Sequence, residues 1–523
     1  MKNKNTGAYY TPNYLASFLT NRVFDNVEHD NQISVLEPSV GDGAFIGEIR
    51  RYVDNFNINL IALDIDEKEL IKASEKWINS TNFIHQDFLE FEIEDRFSVI
   101  IGNPPYIKKN RLNNEQIERI KQIHFDAGLS EKSVKNIWTT FLIKSCRMLT
   151  DDGILAFILP SELLQVKFAE EIRDYLQNEF ERIEVFTFND LMFDCKGQDT
   201  IVLMCYKMSE NKGVFYTNIE DSNQLIENNF QLSHNDVLLS SSLKWTHHFL
   251  TSDEVTFLEN LKEQLNKVSY YCDSKPGIVT GANGFFIVNK DTQIKYKLDR
   301  YTSPIIQKGL YVNGGVVFDN ENFQELYEAN NPSLLLKLNN EEVLTKSLKD
   351  YLKNGVELGL PERYKCKLRK NWFVIPNVTQ QTEGLFFKRS HLYPKLLKNE
   401  ANIYVTDSAY KIQMREGYNI NSFIFSFYNS LSMVYSEIEG RYYGGGVLEL
   451  TPSEFKKLPI PYIDITDAEF DEYANQFQNK EDIQEILIRN DYRILHGVLG
   501  LNNVDIQRIQ HIHQKLLRKR LRN

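Results

Sequence analysis

Between Ile33 and Tyr206 short apolar runs alternate with amphipathic stretches, and this alternation restricts the segment to a largely parallel sheet covered by helices. Strands are expected at Ile33 to Leu36, Leu60 to Leu63, Asn82 to Ile84, Ser98 to Ile101, Ile154 to Leu159, Ile183 to Phe188 and Thr200 to Tyr206. Helices fit between them at Phe45 to Tyr52, Glu67 to Trp77, Asn136 to Leu149 and Ser161 to Asn178. Such a set makes one α/β, Rossmann-like seven-stranded core. Residues 207 to about 245 are polar and rich in Asn and Ser, which places a junction there and divides the chain into residues 1–245 and 246–523. The second part differs in texture. Short β-like runs with glycine turns, Gly277 to Val288 and Tyr442 to Leu450, mix with a helix over Glu254 to Leu265 and a final amphipathic helix over Val504 to Leu521. That mixture reads as an α+β domain.

A length of 523 residues exceeds one ordinary core, which agrees with two domains. Met1 to Pro12 is polar and lacks the apolar run of a signal peptide, and no stretch approaches an uninterrupted membrane span, so a cytoplasmic protein without a membrane partner is expected. Cys146, Cys195, Cys205, Cys272 and Cys366 are scattered without a CxxC pair, and the acidic residues show no metal-ligand spacing. Neither a disulfide framework, a metal site nor a nuclease module is therefore expected. The net charge of −12 opposes general affinity for phosphates. Local clusters run the other way: Lys365, Lys367, Arg369 and Lys370; Lys388 and Arg389; and Arg518, Lys519, Arg520 and Arg522. Of these, Lys365, Lys367, Arg369, Lys388 and Arg389 are candidate nucleic-acid contacts.

The first strand runs into Glu37-Pro38-Ser39-Val40-Gly41-Asp42-Gly43-Ala44-Phe45, a glycine turn between a strand and a helix. Gly41 and Gly43 let backbone pass close to a ligand there, although a third glycine of the dinucleotide fingerprint is missing. Asp64, at the end of the second strand, stands where an acid accepts hydrogen bonds from ribose hydroxyls, whereas Asp66 reads as a helix cap. After the third strand, Asp87 and Phe88 suit an exocyclic amine and the face of a purine. Ligands in open α/β sheets lie across such carboxyl ends.

The fourth strand delivers Asn103-Pro104-Pro105-Tyr106 at the same edge. Two prolines fix φ and push each preceding residue toward extended geometry, so that the Asn103 amide oxygen and the Pro104 carbonyl can point together. An amine conjugated to a ring is a poor nucleophile because its lone pair is delocalised. Two acceptors on its N–H groups draw the nitrogen toward a tetrahedral arrangement and stabilise the positive charge that develops. Tyr106 is a platform for stacking a planar substrate.

These residues resemble the γ-class, Taq-type N6-adenine DNA methyltransferases of restriction-modification systems. The likeness covers much of residues 6 to 206, beginning with Thr6-Gly7-Ala8-Tyr9-Tyr10-Thr11-Pro12. It implies S-adenosylmethionine as cofactor, with Thr11 at its methionine part, Glu37 on the amino group, Asp64 on the ribose, and Asp87 and Phe88 on the adenine. It implies methylation of an adenine flipped out of duplex DNA at a specific sequence, with a target-recognition domain in the second half and a cognate endonuclease encoded separately. A late-loop aromatic in the family stacks on the extruded base, and Phe193 is the candidate, with Phe186 and Phe188 as rivals. Two other readings share some of these features. One is a protein glutamine-N5 methyltransferase, against which the large C-terminal extension argues. The other is a catalytically silent DNA-recognition subunit, against which the intact Asn103–Tyr106 motif argues.

Overall fold

The computed structural model describes residues 10–27, 32–76, 82–189, 199–234, 244–312, 314–376, 378, 381–443 and 445–521. The chain divides into two compact units, Met1–Thr256 and Phe257–Leu521. In the first, β1 (Ile33–Glu37), β2 (Ile58–Asp64), β3 (Asn82–His85), β4 (Phe97–Gly102), β5 (Leu149–Pro160), β6 (Arg182–Phe188), β7 (Thr200–Tyr206), β8 (Gly213–Ile219) and β9 (Ser233–His234) share one sheet. Their order is β3-β2-β1-β4-β5-β7-β6-β8-β9. Strands β1 to β5 pair in parallel, and β7 inserts antiparallel between β5 and β6.

All seven expected strands are present, and β8 and β9 extend the edge within the polar stretch that reads as a junction. Strand β8 owes its place to parallel pairing with β6, a partner distant in sequence that no local pattern reveals. Successive residues face opposite sides of the sheet, as a two-residue period requires. Val99 and Ile101 join one apolar layer and Ile100 the other; Ala156 and Ile158 join the first, Leu155 and Phe157 the second. Both faces are therefore buried, which is why these strands read as continuous apolar runs.

Helices α1 (Asn13–Phe24), α2 (Ala44–Ile49), α3 (Glu67–Ser74), α4 (Asn114–Asp126) and α5 (Ile137–Met148) connect these strands or precede them. The helix expected over Ser161 to Asn178 is broken into Glu162–Gln165, a 3₁₀ turn Lys167–Ala169 and Glu170–Glu179. At the break Val166 is extended, and the buried Arg173 guanidinium donates to the Leu163 and Val166 carbonyls that a continuous helix would use itself. Sheet order reverses between β1 and β4. The loops after these strands diverge there and leave a crevice at the carboxyl edge.

In the second unit, a five-stranded sheet orders Cys272–Pro276, Ala409–Met414, Gly384–Phe387, Lys395–Asn399 and Val317–Phe318. A four-stranded sheet orders Ile287–Val288, Leu334–Leu336, Thr302–Ile306 and Tyr404–Val405, and the helix Asn503–Leu521 ends the chain. The stretch Gly277 to Val288, read as β-like, contributes only Ile287–Val288 as strand. Thr280 instead turns the chain into the short helix Asn283–Phe286, its hydroxyl bonded to Asn283 and accepting the Ala282 N–H. Tyr442 to Leu450 does form a hairpin, Arg441–Tyr443 with Val447–Glu449. Arg520, one of the terminal basic residues, is buried: it donates to both Glu437 oxygens and to the carbonyls of His391, Leu392 and Gly446.

Among the described residues, Cys146, Cys205, Cys272 and Cys366 are free buried thiols. No His, Cys, Asp and Glu group there could hold a metal, and no helix is long and apolar enough to cross a membrane.

Candidate active site

The turns that follow β1, β2, β3 and β4 enclose a cleft of about 270 Å³ at the reversal point. Gly41, Asp64, Asp87, Phe88, Asn103 and Pro105 line it. So do Tyr10, which belongs to the N-terminal motif, and Ile65, Gln116, Ile137 and Phe141, which lie outside the motifs.

Asp64 terminates β2 and fastens two turns together. Its Oδ2 accepts the Gly41 N–H at 2.8 Å and its Oδ1 accepts the Asp66 N–H at 2.9 Å. Burial raises its carboxyl above the ordinary aspartate value, and these two donors oppose the rise. Asp66 caps α3, accepting the Lys68 N–H. Gly41 and Gly43 both adopt positive φ, but for different ends. A side chain at Gly41 would meet open space, whereas a Cβ at Gly43 would lie 2.9 Å from the Ala73 backbone, so Gly43 serves the packing of α2 on α3.

Glu37 ends β1 at 1% exposure, and its Oε2 has no hydrogen-bond partner in the structure. Burial first, then the charges of Asp64 and Asp42, push its carboxyl well above the usual range. A buried acid left in this way is matched by a ligand that brings a cation or a strong donor.

After β3, Asp87 Oδ1 accepts the Leu89 N–H at 2.9 Å and Oδ2 accepts from Gln116 Nε2 at 3.2 Å. Gln116 is held by a capping box: its Oε1 accepts the Asn113 N–H, and Asn113 caps α4 in return. The Asn113-x-x-Gln116 spacing is the signal by which this residue could have been found. Phe88 is buried, 4.8 Å from Phe141 between ring centres, yet borders the cleft. Beneath it the Lys144 ammonium donates to the carbonyls of Phe88 at 2.9 Å, Leu89 at 3.2 Å and Phe91 at 2.5 Å. Ile137, Phe141 and Lys144 share one face of α5, so that helix walls the site and also pins the loop that carries Asp87 and Phe88.

After β4, Asn103 Nδ2 donates to Thr11 Oγ1 at 3.2 Å, and Tyr106 Oη donates toward Asn103 Oδ1 at 3.0 Å. The Tyr106 hydroxyl also lies 3.2 Å from the Ile158 carbonyl, and Ser39 Oγ donates to the Asn103 carbonyl at 3.3 Å. Thr11 and Pro104 are buried, and Tyr106 packs half-buried against the core. Tyr10 Oη donates to Glu69 Oε1 at 3.0 Å, which ties the N-terminal segment to α3 beside the cleft. Of the late-loop aromatics, Phe186 and Phe188 are core residues. Phe193 lies outside the described residues.

The candidate DNA contacts are in the second unit. Lys365 and Lys367 are exposed on the short helix Tyr364–Lys367. Arg369 turns inward, donating to the Thr280 carbonyl at 2.6 Å and the Trp372 carbonyl at 3.1 Å. Arg389 is exposed but paired with Glu449 at 2.6 Å, and Lys388 beside it is half-buried.

Residues 40–193 match the family model described as Eco57I restriction-modification methylase. Residues 242–495 match that of the C-terminal domain of Type II methyltransferase M.Eco57I. Type II methyltransferase M.AccI of Acinetobacter calcoaceticus is 24% identical over 475 residues, covering 87% of this chain and 85% of that protein. Type II methyltransferase M.BanIII of Aneurinibacillus aneurinilyticus is 24% identical over 350 residues, 55% of this chain and 59% of its own. The Type IIL restriction-modification enzyme MmeI, solved in complex with DNA, aligns over 93% of this chain and 73% of its own with a TM-score of 0.56. At 12% identity that likeness is one of fold.

Proposed function

The chain is a DNA methyltransferase of the restriction-modification type, and from that premise we propose that it methylates the N6 amine of an adenine extruded from duplex DNA, using S-adenosylmethionine. The observation that carries the reading is the company Asn103 keeps: it borders a cleft whose other turns present anchored Asp64 and Asp87, at the sheet edge where Glu37 ends β1 with one carboxylate oxygen unpaired.

S-adenosylmethionine, when bound, supplies an electrophilic methyl group on a sulfonium centre. Glu37 would hold its ammonium, Asp64 its ribose hydroxyls, and Asp87 with Phe88 its adenine. Asn103 Oδ1 and the Pro104 carbonyl accept the two N–H bonds of the substrate amine, localising its lone pair and stabilising the charge that grows on nitrogen. In the structure that oxygen already accepts from Tyr106. The Ile158 carbonyl offers the same hydroxyl a second acceptor, so Asn103 Oδ1 can be released without stranding a buried donor. Thr11 and Ser39 hold the amide and the backbone of Asn103 from two sides, which keeps the acceptor in place before the base arrives. Unstacking the base costs a few kcal/mol, which the aromatic side of the site recovers in part.

In this reading residues 1–245 carry the chemistry and 246–523 recognise the target sequence. The enzyme works in the cytoplasm, and its biological counterpart is a separately encoded endonuclease of the same specificity. Asn103→Ala is expected to lower methyl transfer to DNA by at least ~10²-fold, the scale of a lost transition-state acceptor. S-adenosylhomocysteine binding, measured by calorimetry, should stay within about twofold. Equal loss of both would move Asn103 from the chemistry to the fold.

A further inference from the structure

The second unit contains a segment whose charge opposes that of the chain as a whole: Arg363, Lys365, Lys367, Arg369 and Lys370 fall within eight residues of a protein with net charge −12. The structure separates these cations into two kinds. Cys366 is fully buried and Arg369 is turned inward onto the Thr280 and Trp372 carbonyls, with its guanidinium 5.3 Å from the centre of the Phe286 ring. These two residues are the inner face of the short helix Tyr364–Lys367 and its C-terminal turn. Arg363, Tyr364, Lys365, Lys367, Leu368 and Lys370 are all exposed, Tyr364 at 72% and Leu368 at 69%. Among the described residues, the acid that faces them through an ion pair is Glu362, 3.5 Å from Lys367, and that pair is itself open to water and weak.

The support beneath this face is rigid. Gly281 sits at φ +79 with the Lys365 Cβ 2.9 Å from where its own Cβ would be, so the glycine turn after Gly277 packs directly against the side chains of the basic segment. Arg369 crosses from one to the other. Two stretches distant in sequence, bonded across 89 positions between Thr280 and Arg369, thus form a single platform on which four cations and an exposed aromatic ring are displayed.

We propose that this face is a phosphate-contacting surface for duplex DNA, with Arg363, Lys365, Lys367 and Lys370 as the contacts and Arg369 as the positioning residue that holds them. The proposal rests on the reading of the chain as a DNA methyltransferase. Its physical basis is charge complementarity: a rigid cluster of four cations releases counterions from a polyanion and loses no ordering entropy in the backbone, whereas a flexible charged loop would. Tyr364 and Leu368 supply the apolar contact with sugar and backbone edges that pure charge lacks. Arg389, in contrast, is already neutralised by Glu449 and carries no part of this surface.

The test uses the full chain and a fluorescein-labelled random-sequence duplex, with affinity read by anisotropy between 50 and 200 mM NaCl. The triple variant Lys365→Ala, Lys367→Ala, Lys370→Ala should lower the slope of log affinity against log salt by about 2 to 3, at about 0.9 per lost contact. Affinity for S-adenosylhomocysteine should not change. Arg369→Met, which keeps the outer charges but frees their support, should weaken DNA binding while leaving that slope within about 1 of the unmodified protein. If Arg369→Met does not fold, the triple variant decides alone, since its three side chains are exposed. A slope for the triple variant equal to that of the unmodified protein overturns the proposal, and the face would then serve a partner other than DNA. Failure of the unmodified chain to bind the duplex at all would instead overturn the reading on which the proposal depends.

Discussion

Residue by residue, the site is shaped by where its buried polar groups find partners. Glu37 is the sharpest case, because its carboxyl is enclosed, flanked by Asp64 and Asp42, and one of its oxygens is unpaired. Its folded-state pKa stands above the ordinary glutamate value of 4.5, so the folded chain holds that proton more tightly than the unfolded one. Stability from this group therefore falls as pH rises from 4.5 toward the raised value. Glu37→Gln should remove that fall: its Tm should exceed that of the unmodified protein at pH 8 and match it near pH 4. The same variant should bind S-adenosylhomocysteine about 10- to 100-fold more weakly, the scale of one lost charge-assisted hydrogen bond. A lower Tm at pH 8 would mean that Glu37 is satisfied by the protein itself.

Lys144 makes the complementary case. Its ammonium is buried against three carbonyls of the loop that bears Asp87 and Phe88, and burial lowers its pKa. Lys144→Met should weaken S-adenosylhomocysteine binding by about tenfold while kcat at saturating cofactor changes little. A loss of kcat without a change in affinity would detach α5 from the cofactor pocket. Lys144 was not legible in advance, because it acts from α5 on a loop remote in the chain, and Gln116 left only its capping spacing with Asn113, which marks a helix start and not a site. Gly41, Asp64, Asp87 and Asn103 were legible because each ends a strand and is followed by a turn of distinctive composition.

At the scale of elements, strands in a sheet buried on both faces leave strong apolar runs, and all seven core strands could be read in advance. Strand β8 was not read, since its short run Val214-Phe215-Tyr216 lies in a stretch that is otherwise polar and its place is fixed by pairing with β6. The broken helix over 161–179 was hidden for a similar reason: a buried arginine from one part of the segment takes the carbonyls of another. The two glycines of the first turn separate by packing. Gly43→Ala should cost more than the ~1–2 kcal/mol of a left-handed alanine, because its Cβ would also strike the Ala73 backbone, whereas Gly41→Ala should cost only about that amount. Urea midpoints at constant slope measure both. Equal shifts would show that α2 does not depend on this close approach.

For the whole molecule, an α/β first part and an α+β second part were both visible in the texture of the sequence. Which basic residues face outward was not, because the inward turn of Arg369 depends on its bond to the Thr280 carbonyl beside Gly281, far away in the chain. Asn103, bordering the cleft at the carboxyl edge of the sheet, is proposed to activate the exocyclic amine of adenine. The most direct test is to incubate the purified chain with tritiated S-adenosylmethionine and plasmid DNA, digest the product to nucleosides and separate them. The account predicts that the label elutes with N6-methyl-deoxyadenosine and disappears in Asn103→Ala. Label in N4-methyl-deoxycytidine, or in no nucleoside, would contradict it.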